Sequence, residues 1–333
     1  MEVAVYSSKP YDERFLSETN EALEAGHRFT FFKPPLDPST VEGARRFECV
    51  CAFVNDDLSR PILEALAEGA TKLIALRCAG YNNVDLKAAK ELGLTVVRVP
   101  AYSPHAVAEH VVALLLTLSR KTHRAYNRVR EGNFALDGLM GFDLHGLTVG
   151  VIGTGKIGAI FARIMMKGFE CPILAYDPYP NEALKNEGAQ YEALETVLAR
   201  SDILSLHCPL TKETRHLLDD AAFNSMKDGV TVINTSRGAL IDTEAALRAL
   251  KSRKLGYLGL DVYEEESGLF FEDHSAHIIR DDLIMRLTTF PNVMITGHQA
   301  FFTSNALKNI ADTTVLNISA FAKGEACENV VEP

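Results

Sequence analysis

Three chargeable side chains follow predicted β-strands in the second half of the chain. Arg237 comes after the apolar run VTVINTS, Glu266 lies just beyond YLGLDV, and His298 follows NVMITG. Arginine can hold a carboxylate through two parallel hydrogen bonds. Histidine titrates near neutral pH and can pass a proton to a carbonyl oxygen, and a glutamate paired with the imidazole favours its charged form. The trio predicts chemistry on a carbonyl compound that also carries a carboxylate.

Each of these residues also has an ordinary structural interpretation. Ser-Arg-Gly is common in loops with a surface arginine, a glutamate in YEEES is typical of a solvated segment, and a histidine after a strand is often structural. The functional interpretation requires that the three side chains reach one crevice. In doubly wound sheets, ligands bind outside the carboxyl ends of the strands, where all three residues are predicted to lie, so we favour the functional interpretation.

A glycine-rich segment, GVIGTGKIG, lies between an apolar strand and an amphipathic helix and fits the pattern G-x-G-x-x-G. The first glycine permits a tight turn, the second lets a pyrophosphate approach the backbone, and the third lets the helix pack close to the strand. The free amides at the start of the helix attract phosphate. We therefore predict a dinucleotide-binding loop. The residues expected to contact the dinucleotide there are Gly153, Thr154, Gly155, Lys156, Ile157 and Gly158.

The strand that follows this loop, ILAY, ends at Asp177, nineteen residues past Gly158. An acidic side chain there accepts hydrogen bonds from the adenosine ribose hydroxyls and repels a 2′-phosphate. No basic residue follows directly, so the sequence favours NAD over NADP. The alternative is that Asp177 merely ends the strand before a proline. A nicotinamide beside the Arg237, Glu266 and His298 trio predicts hydride transfer to a 2-keto acid.

Apolar β-branched runs alternate with helical patterns through most of the chain, which is typical of parallel sheets covered by helices. A length of 333 residues favours two domains. Five strands are predicted before Pro100 and six after Leu147, which makes two doubly wound α/β domains. The predicted strands are 3–6, 29–32, 50–54, 73–76, 95–99, 148–152, 173–176, 203–207, 231–234, 257–262 and 293–296.

Two long helices and one loop complete the predicted framework. One helix is predicted from His105 to Arg130, and its apolar middle, VVALLLTL, indicates either a central packing helix, which we favour, or an oligomer interface. A second helix over 305–323 is predicted to pack on the first domain. The acidic segment 263–282 is predicted to be a loop before helical spacing resumes at Leu283.

Composition excludes several classes of partner. The formal net charge of −10 argues against nucleic acid and anionic membranes, since both would be repelled at long range. The six cysteines form no CxxC pair and mostly lie in apolar runs, which predicts buried thiols in a reducing compartment and no metal site. With neither a signal peptide nor a membrane-spanning run in view, we expect a cytoplasmic protein.

Taken together, the motifs resemble those of the D-isomer-specific 2-hydroxyacid dehydrogenases, and within that family the bacterial fermentative D-lactate dehydrogenase group. NTSRGALID and DVYxxE with a downstream GHQAF are specific to the family in combination. The resemblance covers essentially the whole chain. Besides the glycine loop, it rests on RCAGYNNVDL at 77–86, VPAYSPHAVAEH at 99–110, LHCPLT at 206–211, VINTSRGALID at 232–242, LDVYEEE at 260–266 and GHQAF at 297–301.

The resemblance implies a role for each residue of the trio. Arg237 corresponds to the family's substrate-binding arginine, Glu266 to its histidine-coupled glutamate and His298 to its acid–base histidine. The implied reaction is reversible hydride transfer from NADH to pyruvate, giving D-lactate. The implied fold is a flavodoxin-like substrate domain, residues 1–101 with 299–333, and a Rossmann NAD-binding domain, residues 102–298, with a cleft between them.

Further site residues are implied in the same way. Asp261, Pro209 and Thr235 are expected to border the cofactor. Ala79 and Gly80 correspond to a loop that helps to hold the substrate carboxylate. Tyr102 and Phe301 border the methyl pocket of lactate-type members, and a homodimer or homotetramer is expected.

Two other functions stay open. One is reduction of a different 2-keto acid, such as hydroxypyruvate, glyoxylate or a bulkier compound, although aromatic Tyr102 and Phe301 favour a small apolar group. The other is a non-catalytic NADH-sensing scaffold, because co-repressor relatives share the catalytic core motifs. The absence of an extended interaction segment in the sequence argues against the scaffold.

Overall fold

Two separate β-sheets organise the chain, and all pairings between their named strands are parallel, which confirms the predicted α/β class. The computed structural model describes residues 1–266 and 268–333 and separates into two units. The first unit is Met1–Ser103 with Phe302–Pro333, and the second is Pro104–Phe301.

The strands are short and are numbered in chain order. Those of the first unit are β1 (Glu2–Val5), β2 (Arg28–Phe31), β3 (Cys49–Ala52), β4 (Leu73–Leu76) and β5 (Thr95–Val97). Those of the second unit are β6 (Val149–Ile152), β7 (Ile173–Tyr176), β8 (Gln190–Tyr191), β9 (Ile203–Leu206), β10 (Val230–Asn234), β11 (Leu255–Leu260) and β12 (Val293–Ile295).

The helices pack around these strands within each unit. They are α1 (Pro10–Ala22), α2 (Arg60–Ala67), α3 (Leu86–Glu91), α4 (Pro104–Arg120), α5 (Thr122–Arg130), α6 (Lys156–Gly168), α7 (Glu182–Asn186), α8 (Leu194–Arg200), α9 (Asp220–Ser225), α10 (Thr243–Ser252), α11 (Asp282–Thr288) and α12 (Ser304–Ala322).

The first unit has the strand order β2-β1-β3-β4-β5, which is the flavodoxin-like order. The whole of β3 and β4 is buried, because helices cover both faces of the sheet and the sequences CVCA and LIAL are apolar throughout. Helix α12 returns to pack on α1 and β4, as predicted. The carboxyl ends of β1, β3 and β4 therefore meet at one edge of this sheet.

The second unit has the order β12-β11-β10-β9-β6-β7-β8, the Rossmann arrangement with one strand added beyond β11. Six of its seven strands were predicted; β8 was missed because it has only two residues and no apolar run. Helix α4 packs against α6 and β11, so its apolar middle is a central packing element. The predicted loop 263–282 includes Ser267, which lies outside the described residues.

The prediction of one helix from His105 to Arg130 was wrong, because the helix breaks at Lys121. This residue has a left-handed backbone with φ 51°, and α5 starts beyond it. The Lys121 ammonium group donates to the carbonyl oxygens of Gly138 (3.0 Å) and Met140 (2.8 Å). A Cβ at Gly141 would lie 2.1 Å from the carbonyl oxygen of Ser119. The break thus lies where a distant segment returns against the end of α4, which no local pattern reveals.

The cysteines are thiols and mostly buried, as the composition predicts. Five of the six cysteines are buried, Cys327 is half-buried, and all six are thiols. Within the described parts of the chain, no helix is both long and apolar enough to span a bilayer.

Candidate active site

The glycine loop joins the end of β6 to the start of α6. Gly153 has φ 92°, and a Cβ there would lie 2.6 Å from the amide nitrogen of Cys208. A Cβ at Gly158 would lie 2.0 Å from the carbonyl oxygen of Gly153. Gly155, which caps the helix, has open space where its Cβ would be. Two glycines are therefore required by packing, and the third leaves the backbone open to a phosphate.

Asp177 is tied directly to this loop. Its Oδ2 accepts hydrogen bonds from the amide of Thr154 at 2.6 Å and from the Thr154 hydroxyl at 3.1 Å, and its Oδ1 accepts from the amide of Tyr179 at 2.8 Å. Thr154 is buried, whereas Lys156 is exposed and Ile157 is half-buried. The acid thus fixes the shape of the loop and, with its remaining lone pairs, suits a ribose hydroxyl.

Two more predicted cofactor residues lie at neighbouring strand ends. Pro209, beyond β9, is exposed, and its carbonyl oxygen accepts from the Thr214 hydroxyl at 2.7 Å. Thr235, directly after β10, is buried, and its hydroxyl has no hydrogen-bond partner among the described residues. A buried hydroxyl without a partner is costly, so this hydroxyl is available to hydrogen-bond a ligand. Together with the glycine cradle and Asp177, it fits a dinucleotide.

Glu266 and His298 form a direct pair. The His298 Nδ1 lies 3.0 Å from Glu266 Oε1, with both side chains about one-fifth exposed (21% and 24%). Glu266 Oε2 also accepts from the amide of Tyr263 at 3.2 Å, which orients the carboxylate. The pairing uses Nδ1 and leaves Nε2 as the ring nitrogen that can face a substrate.

His298 has an unusual backbone. Its φ is 53°, in the left-handed region that is uncommon for residues other than glycine. The conformation is stabilised by a hydrogen bond from its amide to the carbonyl oxygen of Asp261 at 2.7 Å. Such conformations concentrate at functional sites, where the surrounding structure holds them in place.

Asp261 anchors the loop that carries His298. Its carboxylate accepts from the Thr296 hydroxyl (2.5 Å) and from the amides of Gln299 (2.9 Å) and Ala300 (2.8 Å). Complete burial raises the pKa of Asp261, but the hydrogen bonds from His110, Thr296 and the two amides outweigh this, so its pKa is lowered. A fixed negative charge therefore lies beneath the His298 loop.

His110 is a site residue that the sequence interpretation missed. Its Nε2 lies 3.0 Å from the Thr296 hydroxyl and 3.4 Å from Asp261 Oδ1, and so links α4 to the loop after β12. A signal was present, since His110 is the one histidine inside the apolar run AEHVVALLL. Only the folded chain shows that the run passes β12.

Arg237 follows β10, the strand next to β11, which leads to Glu266. Its carbonyl oxygen accepts from Asn234 Nδ2 at 2.8 Å, and its guanidinium group donates to the carbonyl oxygen of Ser236 at 2.7 Å. A Cβ at Gly238 would lie 2.0 Å from the carbonyl carbon of Tyr263. Because Gly238 allows this approach, the Arg237 loop packs against the segment that carries Glu266.

Aromatic rings border the His298 imidazole. The Phe301 ring, which is buried, meets it edge-on at 6.5 Å between centroids, and the Phe271 ring lies 5.5 Å away. Phe301 was predicted, but Phe271 was not, because it lies in a segment that the sequence indicated only as an acidic loop. These apolar rings suit a substrate with a small apolar group.

Three predicted substrate residues belong to the first unit. Ala79 and Gly80 follow β4, and Arg98 donates to the Ala79 carbonyl oxygen at 2.9 Å. Tyr102 is half-buried, and its carbonyl oxygen accepts from Asn309 Nδ2 at 2.6 Å. The part that these residues play in substrate binding stays a prediction.

Comparison with known proteins decides the family. Residues 112–300 match the model of the D-isomer specific 2-hydroxyacid dehydrogenase, NAD binding domain. The D-lactate dehydrogenase of Escherichia coli is 55% identical over 329 residues, which cover 99% of both chains. The chain belongs to the D-isomer specific 2-hydroxyacid dehydrogenase family. It is an NAD-dependent oxidoreductase of that family, as the glycine loop and Asp177 predict.

Solved structures of family members have the same fold. The apo-structure of D-lactate dehydrogenase from E. coli has a TM-score of 0.91 at 53% identity and covers 99% of this chain and 100% of that one. D-Lactate dehydrogenase from Aquifex aeolicus, complexed with NAD and lactic acid, has a TM-score of 0.87 at 35% identity and covers 99% of both chains. The two-sheet architecture is therefore that of the family over its whole length.

Proposed function

We propose that the protein is a D-lactate dehydrogenase that reduces pyruvate to D-lactate with NADH. The observation that carries the proposal is the Glu266–His298 pair at 3.0 Å. Glu266 lies beyond β11 and His298 after β12, and β11 is the strand next to β10, which leads to Arg237. The high identity to the E. coli protein named D-lactate dehydrogenase supports this choice of substrate.

The chain's own residues prepare the substrate for reduction. Arg237 holds the carboxylate by a bidentate contact and so orients the keto group. His298 Nε2 donates a proton to the carbonyl oxygen, while Glu266 on Nδ1 stabilises the imidazolium that donates it. NADH held by the second unit would supply a hydride for C2, so that the substrate would gain one hydride and, from His298, one proton. Phe301, whose ring meets the His298 imidazole edge-on, keeps the methyl side apolar.

The glycine loop and its neighbours hold the cofactor in this proposal. Gly153, Gly155 and Gly158 form the pyrophosphate cradle, and Asp177 receives the adenosine ribose. Thr235, whose buried hydroxyl has no partner among the described residues, would donate to or accept from the dinucleotide. The second unit is accordingly the NAD-binding domain, and the first unit is the substrate domain.

A comparison of keto acids tests the substrate. The purified protein is assayed with NADH and pyruvate, hydroxypyruvate, glyoxylate or 2-ketobutyrate, and the product's configuration is determined. We expect the highest kcat/KM with pyruvate and a D product. A higher kcat/KM with another keto acid would assign a different reductase of the family. NADH binding without turnover of any keto acid would support the scaffold alternative.

We also propose that the protein assembles as a dimer or a tetramer through an apolar surface on the second unit. Its large side chains are far more exposed than is usual for a monomer: Tyr126 62%, Val129 50%, Phe134 74%, Leu136 81% and Met140 85%. A second copy of the chain is the expected partner. Leu136→Asp should lower the mass measured by light scattering, whereas the control Leu23→Asp, in the first unit, should leave it unchanged.

The location proposed for the protein is the cytoplasm. All six cysteines are thiols, and thiols persist in a reducing compartment. Fractionation of the native cells with an antibody against the protein checks this location, and recovery in a secreted fraction would contradict it.

A further inference from the structure

The loop after β4 has its carbonyl groups bound to the interior of the first unit. The Cys78 carbonyl oxygen accepts from the amide of Val99 at 3.2 Å, and the Ala79 carbonyl oxygen accepts from Arg98 Nη1 at 2.9 Å. The Gly80 carbonyl oxygen accepts from the Cys78 thiol at 3.2 Å. Three successive carbonyl groups of this loop are therefore already occupied by protein donors.

The geometry of the peptide bond then fixes the direction of the amides. In a planar trans peptide the C=O of one residue and the N–H of the next point in opposite directions. The N–H groups of Ala79, Gly80 and Tyr81 consequently point away from the interior donors. No described residue accepts a hydrogen bond from any of these three amides. Successive amides that point to the same side form a binding site for an anion.

Arg98 is the charged group that holds this arrangement. Besides its bond to the Ala79 carbonyl oxygen, its guanidinium group stacks over the Tyr81 ring at 4.9 Å, so it contacts both neighbours of Gly80. The backbone of Arg98 is itself fixed: its amide donates to Asn329 O, and its carbonyl oxygen accepts from Asn317 Nδ2, both at 3.0 Å. These backbone bonds do not depend on the Arg98 side chain.

We propose that Arg98 is a positioning residue for the substrate carboxylate. By binding the Ala79 carbonyl oxygen, it turns the Gly80 N–H outward, and by stacking on Tyr81 it holds the next amide beside it. Its fixed positive charge also favours an anion at these amides. Arg98 acts through the peptide and does not itself touch the substrate. The proposal rests on the proposed function, in which the Ala79–Gly80 loop receives the carboxylate of a 2-keto acid.

Two variants and one control test this role. Arg98→Met removes the donor and the charge, and Arg98→Lys keeps the charge but loses the planar stacking. Arg28→Met makes the same change of charge on β2, the edge strand far from β4 in the sheet, at an arginine that is exposed. KM for pyruvate, KM for NADH, kcat and Tm are measured for each.

We expect Arg98→Met to raise KM for pyruvate about tenfold or more, the value of one charge-assisted hydrogen bond. KM for NADH should stay the same, and kcat should change less than about threefold, because binding of the carboxylate and not proton transfer is affected. Arg98→Lys should recover part of the loss, and Arg28→Met should match the wild type. Equal KM values for pyruvate in Arg98→Met and wild type would overturn the proposal, as would a parallel fall of kcat and Tm without a change in KM.

The same experiment separates this proposal from the proposed function. If the wild type reduces pyruvate and Arg98→Met keeps its KM, only the role of Arg98 fails. If the wild type reduces no 2-keto acid, the proposed function fails, and calorimetry with oxalate in the presence of NADH then tests Arg98 by itself. Oxalate binding that is about tenfold weaker in Arg98→Met supports the role, and equal affinity overturns it.

Discussion

The carboxyl edges of the two sheets are built on different principles. In the second unit, the edge carries reactive side chains: Arg237 after β10, Glu266 beyond β11 and His298 after β12. In the first unit, the edge carries a backbone loop, in which the Ala79 carbonyl oxygen accepts from Arg98 and the Gly80 carbonyl oxygen accepts from the Cys78 thiol. The first edge is therefore shaped by bonds to its own backbone, whereas the second presents side chains that can react.

Buried charge is also used differently at the two edges. In the first unit, Arg77 is buried, donates to Asp12 Oδ1 at 3.1 Å and to the Ser7 carbonyl oxygen at 2.9 Å, and stacks over Phe53. Burial raises the pKa of the nearby Asp56 carboxyl despite the attraction of Arg77. In the second unit, the hydrogen bonds to Asp261 outweigh the cost of its burial, and its pKa is lowered.

This difference suits the two roles. A charged Asp261 with four donors around it makes the His298 loop rigid in its left-handed conformation. In the first unit, Arg77 lies two residues before Ala79 and holds the start of α1 through Asp12. One edge therefore fixes the His298 loop, and the other fixes the start of α1.

The largest expected effect is on the chemistry of the second edge. His298→Gln removes the proton donor while keeping a polar side chain of similar size. We expect kcat for pyruvate to fall roughly 100-fold to 10,000-fold, the usual contribution of a general acid. Steady-state assays with saturating NADH measure it, with KM for NADH as the control. A kcat within a few-fold of the wild type would remove His298 from the proposed mechanism.

The next effect concerns stability and the first edge. Arg77→Met leaves the buried Asp56 and the nearly buried Asp12 without their counter-charge. Because the Arg77 side chain is only 1% exposed, water cannot replace the lost charge. Removing one partner of a buried ion pair costs about 3–5 kcal/mol of unfolding free energy. Urea denaturation measures this change. Arg28→Met, which breaks an exposed pair with Glu2, should stay within about 0.5 kcal/mol of the wild type. A similar loss in both variants would show that burial is not the reason.

A smaller effect is expected at the cofactor. Asp177→Ala removes the acceptor for the ribose hydroxyls and the bonds to Thr154, so KM for NADH should rise about tenfold. Discrimination against NADPH should relax as well, because the negative charge no longer repels a 2′-phosphate. Asp177→Asn keeps an acceptor for the loop and should relax the preference with a smaller rise in KM. If the preference for NADH over NADPH is unchanged in both variants, the ribose assignment fails.

The smallest expected effect is at the residue that holds the imidazole. Glu266→Gln removes the negative charge 3.0 Å from His298 Nδ1 but keeps a side chain that can bind the ring. We expect kcat for pyruvate to fall about fivefold, because a charge-assisted hydrogen bond is replaced by a neutral one. Steady-state assays with saturating NADH measure the fall. An unchanged kcat would show that the charge of Glu266 is not needed at the ring.

Much of the fold could be predicted from local patterns. The strands predicted at 73–76 and 173–176 have the same first and last residues in the structure. They were predictable because a strand in a parallel sheet covered by helices on both faces must be a continuous apolar run. The break at Lys121 and the short β8 could not be predicted. The first depends on a segment that returns from residue 138 onward, and the second depends on pairing with β7 and not on its own two residues.

The site divides in the same way. The glycine spacing, Asp177 after β7, and the Arg237, Glu266 and His298 trio are determined by the sequence, because a tight turn, a ribose acceptor and a proton donor each require particular residue types at strand ends. Only the tertiary structure decided that His110 reaches Thr296, that Asp261 anchors the His298 loop, and that Arg98 orients the Ala79 carbonyl group. Those contacts join elements far apart in the chain, and their geometry exists only once the sheets are packed.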